Sequence, residues 1–299
     1  MYLKNIAYPG DYNYINLEID GEYTGRRKVD GGEVQSIAVK AENNNTIHKL
    51  VVSKATEASN GLVVITKIEG ENITKDNSGF SKKIEFIGNS ITCGYGNDLE
   101  IPCGGNSKWY DQHNAYWSYA SIVARELNVE YMISAISGAG IYRNWDTDGP
   151  TMPQQYGNTF LNTDTASKWD FKSFVPDIVT IALGTNDMSD GDGSPRLPFD
   201  INKFIADYKI FISRVYSHYP NTQIVLLNSP MVHGENGKLL EECLTIIEDD
   251  VNKNSKPLRP IQHFFFAPMN PRGCGHPSIE DDKIMAAGLV PAIKKIMNW

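Results

Sequence analysis

The rhythm of apolar and polar positions changes near residue 80. Before it lie short runs rich in Val and Ile: SIAVK (36–40), KLVVS (49–53) and LVVITKI (62–68). They are broken at Gly31–Gly32, at Asn43–Asn45 and at Asn60–Gly61, residue types that punctuate strands. No stretch there keeps a 3.6-residue period. The Asn60–Gly61 pair between KLVVSKATEAS and LVVITKIEG predicts a hairpin or another tight turn between strands. Residues 1–80 are therefore expected to form a small antiparallel β domain, with KDNSGFSK (75–82) as the connection.

From Lys83 onward, buried-strand runs alternate with helical patterns. The runs are IEFIG (84–88), VEYMIS (129–134), DIVTIAL (177–183), QIVLLN (223–228) and QHFFFA (262–267). Between and after them come AYWSYASIVAREL (115–127), a segment at 201–219, LLEECLTIIEDDV (239–251) and a last segment at 279–299. In the second of these, Phe204, Ile205, Tyr208, Phe211, Ile212 and Val215 recur at helical spacing. Strands and helices in strict alternation imply a five-stranded parallel sheet covered by helices on both faces, over residues 81–299. Pro291 is expected to kink or interrupt the last helix. The stretch 140–176, rich in Gly, Pro, Asn and aromatics, is long enough to expect a functional loop or lid. No internal repeat is evident.

Composition narrows the partners. The chain has 299 residues, a hydrophobic fraction of 41% and a charged fraction of 21%, ordinary for a folded protein with a sizeable core. A formal net charge of -8 argues against nucleic acid, which is bound by neutralising phosphates. It suits a neutral partner such as a polysaccharide. No apolar run has the length of a membrane span, so no membrane partner is expected. The first residues, MYLKNIAYPG, lack signal-peptide character. The expected location is secreted or periplasmic with a leader outside this chain, and a cytoplasmic one stays open. Cys93, Cys103, Cys243 and Cys274 are too few for a disulfide scaffold and none forms a zinc-like pair. Cys243 reads as a buried thiol in a helix. A bridge among the other three is compatible with their loop positions, without a preferred pairing.

In an open parallel sheet, ligands bind beyond the carboxyl ends of the strands. Four segments fall there: Gly88-Asn89-Ser90 and its continuation to Gly96, Ser137 to Gly140, Gly184-Thr185-Asn186-Asp187, and the loop holding His276. Each fits a step of ester cleavage. A serine on a tight strand-to-loop turn exposes its Oγ. His276 is the candidate base that such a weak nucleophile needs. The N–H groups of Ser90 and Gly138 and the side-chain amide of Asn186 are candidate oxyanion donors. No cofactor and no metal are required. Taken singly, each residue has a plainer reading: Ser90 as a helix N-cap, His276 as a surface histidine, Gly138 as relief of crowding, Asn186 as a loop brace. Asp187 reads as a structural pin of the GTND turn. Among the aromatics Trp109, Tyr110, Trp117, Tyr142, Trp145 and Tyr156, about half should pack the loops, with Trp117 in a helix core. Trp109, Tyr142 and Trp145 are the candidate sugar platforms.

GNSITCGYG, the glycine at 138, GTND and the GHP around His276 resemble, in order and position, the four blocks of the SGNH (GDSL-like) hydrolase superfamily. FIGNSITCGYG after a small β module, with GCGHPS near the end, is most similar to the second carbohydrate-esterase family. That resemblance implies a flavodoxin-like α/β/α domain behind a jelly-roll-like domain, and an acetylxylan-esterase type of activity. The partner would be an acetylated oligo- or polysaccharide such as xylan or another hemicellulose. Asn89 stands where the family's first block usually has Asp, and is expected to accept the same hydrogen bonds. The Asp that commonly precedes the histidine is missing: Gly273, Cys274 and Gly275 stand there. The resemblance therefore implies a Ser–His dyad, with a main-chain carbonyl from 273–275 facing Nδ1 and Asp281 and Asp282 turned elsewhere. Two other functions fit the same residues: a carbohydrate-binding protein with vestigial catalytic apparatus, and an SGNH lipase or thioesterase. No long apolar stripe for a fatty acyl chain lies near the blocks.

Overall fold

The computed structural model describes residues 1–7, 10–41, 47–76, 79–146, 148–164 and 166–299. The Asn43–Asn45 break lies outside them, as does the middle of the 75–82 connection.

The amino-terminal part holds six strands: β1 (Tyr2–Ile6), β2 (Asn13–Ile19), β3 (Glu22–Val29), β4 (Val34–Ser36), β5 (Leu50–Lys54) and β6 (Leu62–Lys67). They form two antiparallel three-stranded sheets, ordered β4-β1-β6 and β3-β2-β5. Leu3 from one sheet and Ile15, Leu17 and Val29 from the other share a small core with Val52 and Val63. A period-2 alternation of inward apolar and outward polar residues is what such a sandwich needs. Of the two forms expected at Asn60–Gly61, a hairpin or another tight turn, the second is present. A tight turn stands there, a 3-10 turn at Ala58–Asn60 followed by Gly61 at φ +88. It carries the chain from one sheet to the other, because β5 pairs with β2 and β6 pairs with β1. Of the SIAVK run only Ser36 lies in a strand; Ile37 and Val39 instead pack on the small core.

The remainder is a three-layer α/β/α unit. Its parallel strands are β7 (Lys83–Gly88), β8 (Glu130–Ala135), β9 (Ile178–Ile181), β10 (Gln223–Leu227) and β11 (Gln262–Phe264), ordered β11-β10-β9-β7-β8. Counted along the chain, that order is 2-1-3-4-5, the flavodoxin-like arrangement. Its helices are α1 (Ser90–Cys93), α2 (Tyr119–Leu127), α3 (Met152–Gln155), α4 (Thr185–Met188), α5 (Ile201–His218), α6 (Gly234–Asn254) and α7 (Ile279–Met297). Ile87, Val179, Ile181, Ile224 and Leu226 face α5 and α6. Ile84, Phe86, Ile178, Val225 and Leu227 face α2 and α7. Strands buried on both faces read as continuous apolar runs, which is why they were visible in the sequence.

Helix α7 runs unbroken through Pro291. Its start is well built: Ser278 and Asp281 form a capping box, and acidic residues fill the first turn. Trp117 belongs to a 3-10 turn rather than a helix core, half-buried against Tyr23 and Tyr116. Among the described residues no helix is long and apolar enough to cross a membrane.

The β module grips the long segment between α1 and α2. Arg26 from β3 donates to the main-chain oxygens of Asp111 (2.7 Å) and His113 (2.9 Å) and pairs with Asp98 at 3.2 Å. Tyr12 and Tyr14 both donate to the Asp111 carboxylate, and the Ala115 N–H bonds Ala55 O. That segment carries Trp109 and His113 to the carboxyl edge of the parallel sheet.

Candidate active site

Strand β7 ends at Gly88, and the chain turns at once into the single-turn helix α1. Asn89, not Ser90, is the N-cap: its Oδ1 accepts the Ile91 N–H at 3.1 Å. Its amide also donates to Thr185 Oγ1 at 3.2 Å, tying the first block to the third. A carboxylate in its place could accept the first bond but could not donate the second. Ser90 therefore occupies the first helical position, with its hydroxyl free to face the cleft.

His276 arrives from the loop between β11 and α7, which is anchored on three sides. The Cys274 N–H donates to Gly96 O at 2.8 Å, and Gly273 N–H to His276 O at 2.9 Å. Gly273 is required here, since a Cβ would stand 2.4 Å from Gly96 O. Cys274 is bridged to Cys103 across 171 residues. Cys93 and Cys243 are buried free thiols. The outcome is that His276 Nε2 lies 2.8 Å from Ser90 Oγ, although the two are 186 residues apart.

The imidazole is packed on Tyr95, ring centroids 4.4 Å apart, and Tyr95 in turn rests against His113 (4.5 Å) and Trp109 (5.9 Å). Burial among these rings pulls the His276 pKa down to about 4. The main-chain oxygen that acts on the ring against this trend is that of Cys274, within the segment expected to face Nδ1. It stops short of hydrogen-bonding geometry: Nδ1 is buried and has no hydrogen-bond partner among the described residues. Neither Asp281 nor Asp282 turns toward the ring. Asp281 is held by Ser278 and Arg272, and Asp282 accepts from Tyr119 N–H and Asn97.

Ser90, His276, Gly138 and Asn186 line one cleft of about 840 Å³, together with Trp109, Trp145 and Tyr95. Gly138 sits at φ +77, a left-handed conformation that presents the 137–139 backbone to the cleft. The Asn186 amide is buried and donates one hydrogen to Ala139 O at 2.8 Å, which fixes the orientation of its Nδ2. Asp187 is structural, as expected, but what its carboxylate pins is the 141–143 segment rather than the GTND turn itself. Its carboxylate accepts the N–H groups of Ile141, Tyr142 and Arg143.

The aromatic expectations divide. Trp109 and Trp145 line the cleft and stay 47% and 40% exposed, as flat faces open to a ligand must. Tyr142 does not reach it: its ring packs on Phe199 and its hydroxyl accepts the Asp200 N–H at 3.0 Å. The pinning of 141–143 by Asp187 turns that side chain outward from the site. Tyr110 and Tyr156 are buried packing residues, bonded to Asp11 and Glu85. Sequence reasoning gave no role to Tyr95, His113 or Glu57, nor to the polar residues Asp146, Asp190, His233 and Asn236 that complete the cleft. Tyr95 stood within a recognised block; the others carry no local pattern. Among the described residues no group of three His, Cys, Asp or Glu side chains could hold a metal ion.

Known proteins resemble this chain in sequence and fold. The model of the GDSL-like Lipase/Acylhydrolase family matches residues 86–259, more than half of the chain. The Cellulase/esterase CelE of Acetivibrio thermocellus is 32% identical over 95% of this chain, which spans only 36% of that longer protein. An acetylxylan esterase / glucomannan deacetylase of Cellvibrio japonicus is 25% identical, covering 96% of this chain and 77% of its own. The structure of a family two carbohydrate esterase from Clostridium thermocellum, in complex with cellohexaose, superposes with a TM-score of 0.86. It is 31% identical and the match covers 100% of this chain and 89% of that one. The chain belongs to the GDSL-like lipase/acylhydrolase family of ester hydrolases, and within it to the family two carbohydrate esterases.

Proposed function

We propose that this chain removes O-acetyl groups from an oligo- or polysaccharide through an acetyl-enzyme on Ser90. One observation carries the reading: the 2.8 Å approach of His276 Nε2 to Ser90 Oγ on the floor of a cleft with exposed indole faces. Ser90 Oγ attacks the acetyl carbonyl carbon as its proton passes to Nε2. The tetrahedral oxyanion is met by the N–H groups of Ser90 and Gly138 and the Asn186 amide. On collapse the imidazolium returns the proton to the departing sugar oxygen, leaving the acetyl group esterified to Ser90 Oγ. Water, deprotonated by the same nitrogen, then attacks the ester carbonyl, and the second intermediate collapses to acetate as Nε2 gives the proton back to Ser90 Oγ.

The wide cleft, with Trp109 and Trp145 for stacking and Asp146, Asp190 and Asn236 for sugar hydroxyls, suits a carbohydrate better than a fatty acyl chain. The names of the relatives point the same way: acetylxylan and glucomannan deacetylation for one, a cellohexaose complex for another. A polymeric substrate of this kind is met outside the cytoplasm, whereas an oligosaccharide leaves a cytoplasmic location open.

The test is hydrolysis of p-nitrophenyl acetate and of acetylated xylan and glucomannan by the wild type and by Ser90→Ala. Turnover by the wild type should drop by at least about 10⁴-fold in the variant. Equal rates would take the reaction away from Ser90, and none from the wild type would leave a protein that binds glycans without cutting esters. A preference for long acyl esters over acetate would make it a lipase instead.

A further inference from the structure

Glu57 belongs to the β module, between β5 and the 3-10 turn that precedes β6, yet its carboxylate is buried beneath the cleft. Oε2 accepts the main-chain N–H of Ser137 at 2.8 Å, one residue before Gly138. The same oxygen accepts from the Cys93 thiol at 3.6 Å, in the single helical turn that begins with Ser90. Among the described residues Oε1 has no hydrogen-bond partner, and it stands 4.0 Å from His113 Nδ1, a ring whose two nitrogens are likewise buried and unbonded there. His113 packs on Tyr95, and Tyr95 on His276. Lys54 fixes the main chain at this point by donating to the carbonyls of Thr56 and Glu57.

One carboxylate thus touches the backbone that presents Gly138, the helix that carries Ser90, and the ring stack behind His276. The 136–140 turn is otherwise held on its far side by Asn186 on Ala139 O and by Trp145 N–H on Gly138 O. We infer that Glu57 is a positioning residue: by accepting the Ser137 N–H it fixes the 136–137 peptide, and so the start of the adjoining 137–138 peptide whose Gly138 N–H meets the developing oxyanion, so that the β module completes the hydrolase site. Reach matters here more than charge. A glutamine keeps an acceptor oxygen at the same distance and can turn its amide toward His113 Nδ1. An aspartate keeps the charge and withdraws the oxygen by one methylene.

The inference rests on the roles of Ser90 and His276 proposed above. It is tested by p-nitrophenyl acetate turnover of the wild type, Glu57→Gln, Glu57→Asp and Glu57→Ala, each normalised to active sites counted by end-point labelling of Ser90 with a fluorophosphonate. Glu57→Gln should stay within about threefold of wild-type kcat. Glu57→Asp should lose about 10- to 100-fold in kcat per labelled site with KM unmoved, bounded by the effect of losing one oxyanion donor. Glu57→Ala should lose at least as much. A merely structural role would lower the number of labelled sites and leave kcat per site unchanged. If Glu57→Ala yields no labelled protein, the comparison of Gln with Asp still decides. Aspartate matching or exceeding glutamine, alanine within threefold of wild type, or an effect confined to KM would overturn the inference. An inactive wild type, or a fully active Ser90→Ala, would instead remove the esterase reading beneath it.

Discussion

His276 is enclosed by Tyr95 and the loop that carries it, and the imidazolium form is disfavoured there. A base must be neutral to take the serine proton, so the fraction of competent enzyme is set by a pKa depressed to about 4. As pH falls, kcat/KM should stay level to about pH 5 and then drop with a single ionisation centred near 4. An inflection near the ordinary histidine value would show the ring to be solvated. The stability consequence has the same direction. The folded pKa lies below the unfolded one, so the neutral ring's full contribution is present above about 6.5 and is lost as pH falls through about 4. Ser90, Gly138, Asn186 and His276 could be named from the sequence because each closes a strand-end motif. Glu57 and His113 could not, because nothing local distinguishes a buried acid that reaches across a domain contact from a solvated one.

At the scale of elements, the loop from Arg272 to Ser278 does the placing. It has no regular structure of its own, and it is fixed by two backbone hydrogen bonds, the Cys103–Cys274 bridge and the capping box of α7. A bridge closing so long a loop restrains the unfolded chain by about 3–5 kcal/mol in the chain-entropy view. Cys103→Ser is therefore expected to lower the melting temperature and to reduce kcat more than it raises KM, measured by thermal unfolding and by acetate-ester kinetics. An unchanged kcat would mean that the backbone hydrogen bonds of the loop suffice. The five parallel strands and four main helices were legible because both faces of the sheet and one face of each helix are apolar. The β module was less so. Its second strand contains the buried Asn13 and Asn16, whose partners are Asn5 across the sandwich and Tyr23 on the neighbouring strand, and local pattern does not reveal them. The Asn60–Gly61 pair marked a turn but not its partners, for a related reason. A turn residue signals that the chain reverses, not which sheet receives it.

The whole molecule joins two sheet systems through the segment from Asp98 to Trp117, which also brings Trp109 to the cleft. Arg26 is the buried cation of that junction, bonded to two main-chain oxygens and paired with Asp98. Removing one partner of a buried pair leaves the other uncompensated, at a cost of about 3–5 kcal/mol. Arg26→Met should destabilise the protein by that order in denaturant unfolding, and should lower activity toward glycans through Trp109 more than activity toward p-nitrophenyl acetate. Equal loss on both substrates would place the damage at the reacting atoms rather than at the sugar platform.

The central claim is a covalent one, and it is read most directly by trapping. Wild-type protein mixed with excess acetyl ester, quenched in acid during turnover and digested, should carry an added acetyl group on the peptide containing Ser90. The Ser90→Ala protein should carry none and should not turn over. Sustained turnover with Ser90 unmodified, or with the acetyl group on another residue, would contradict the account.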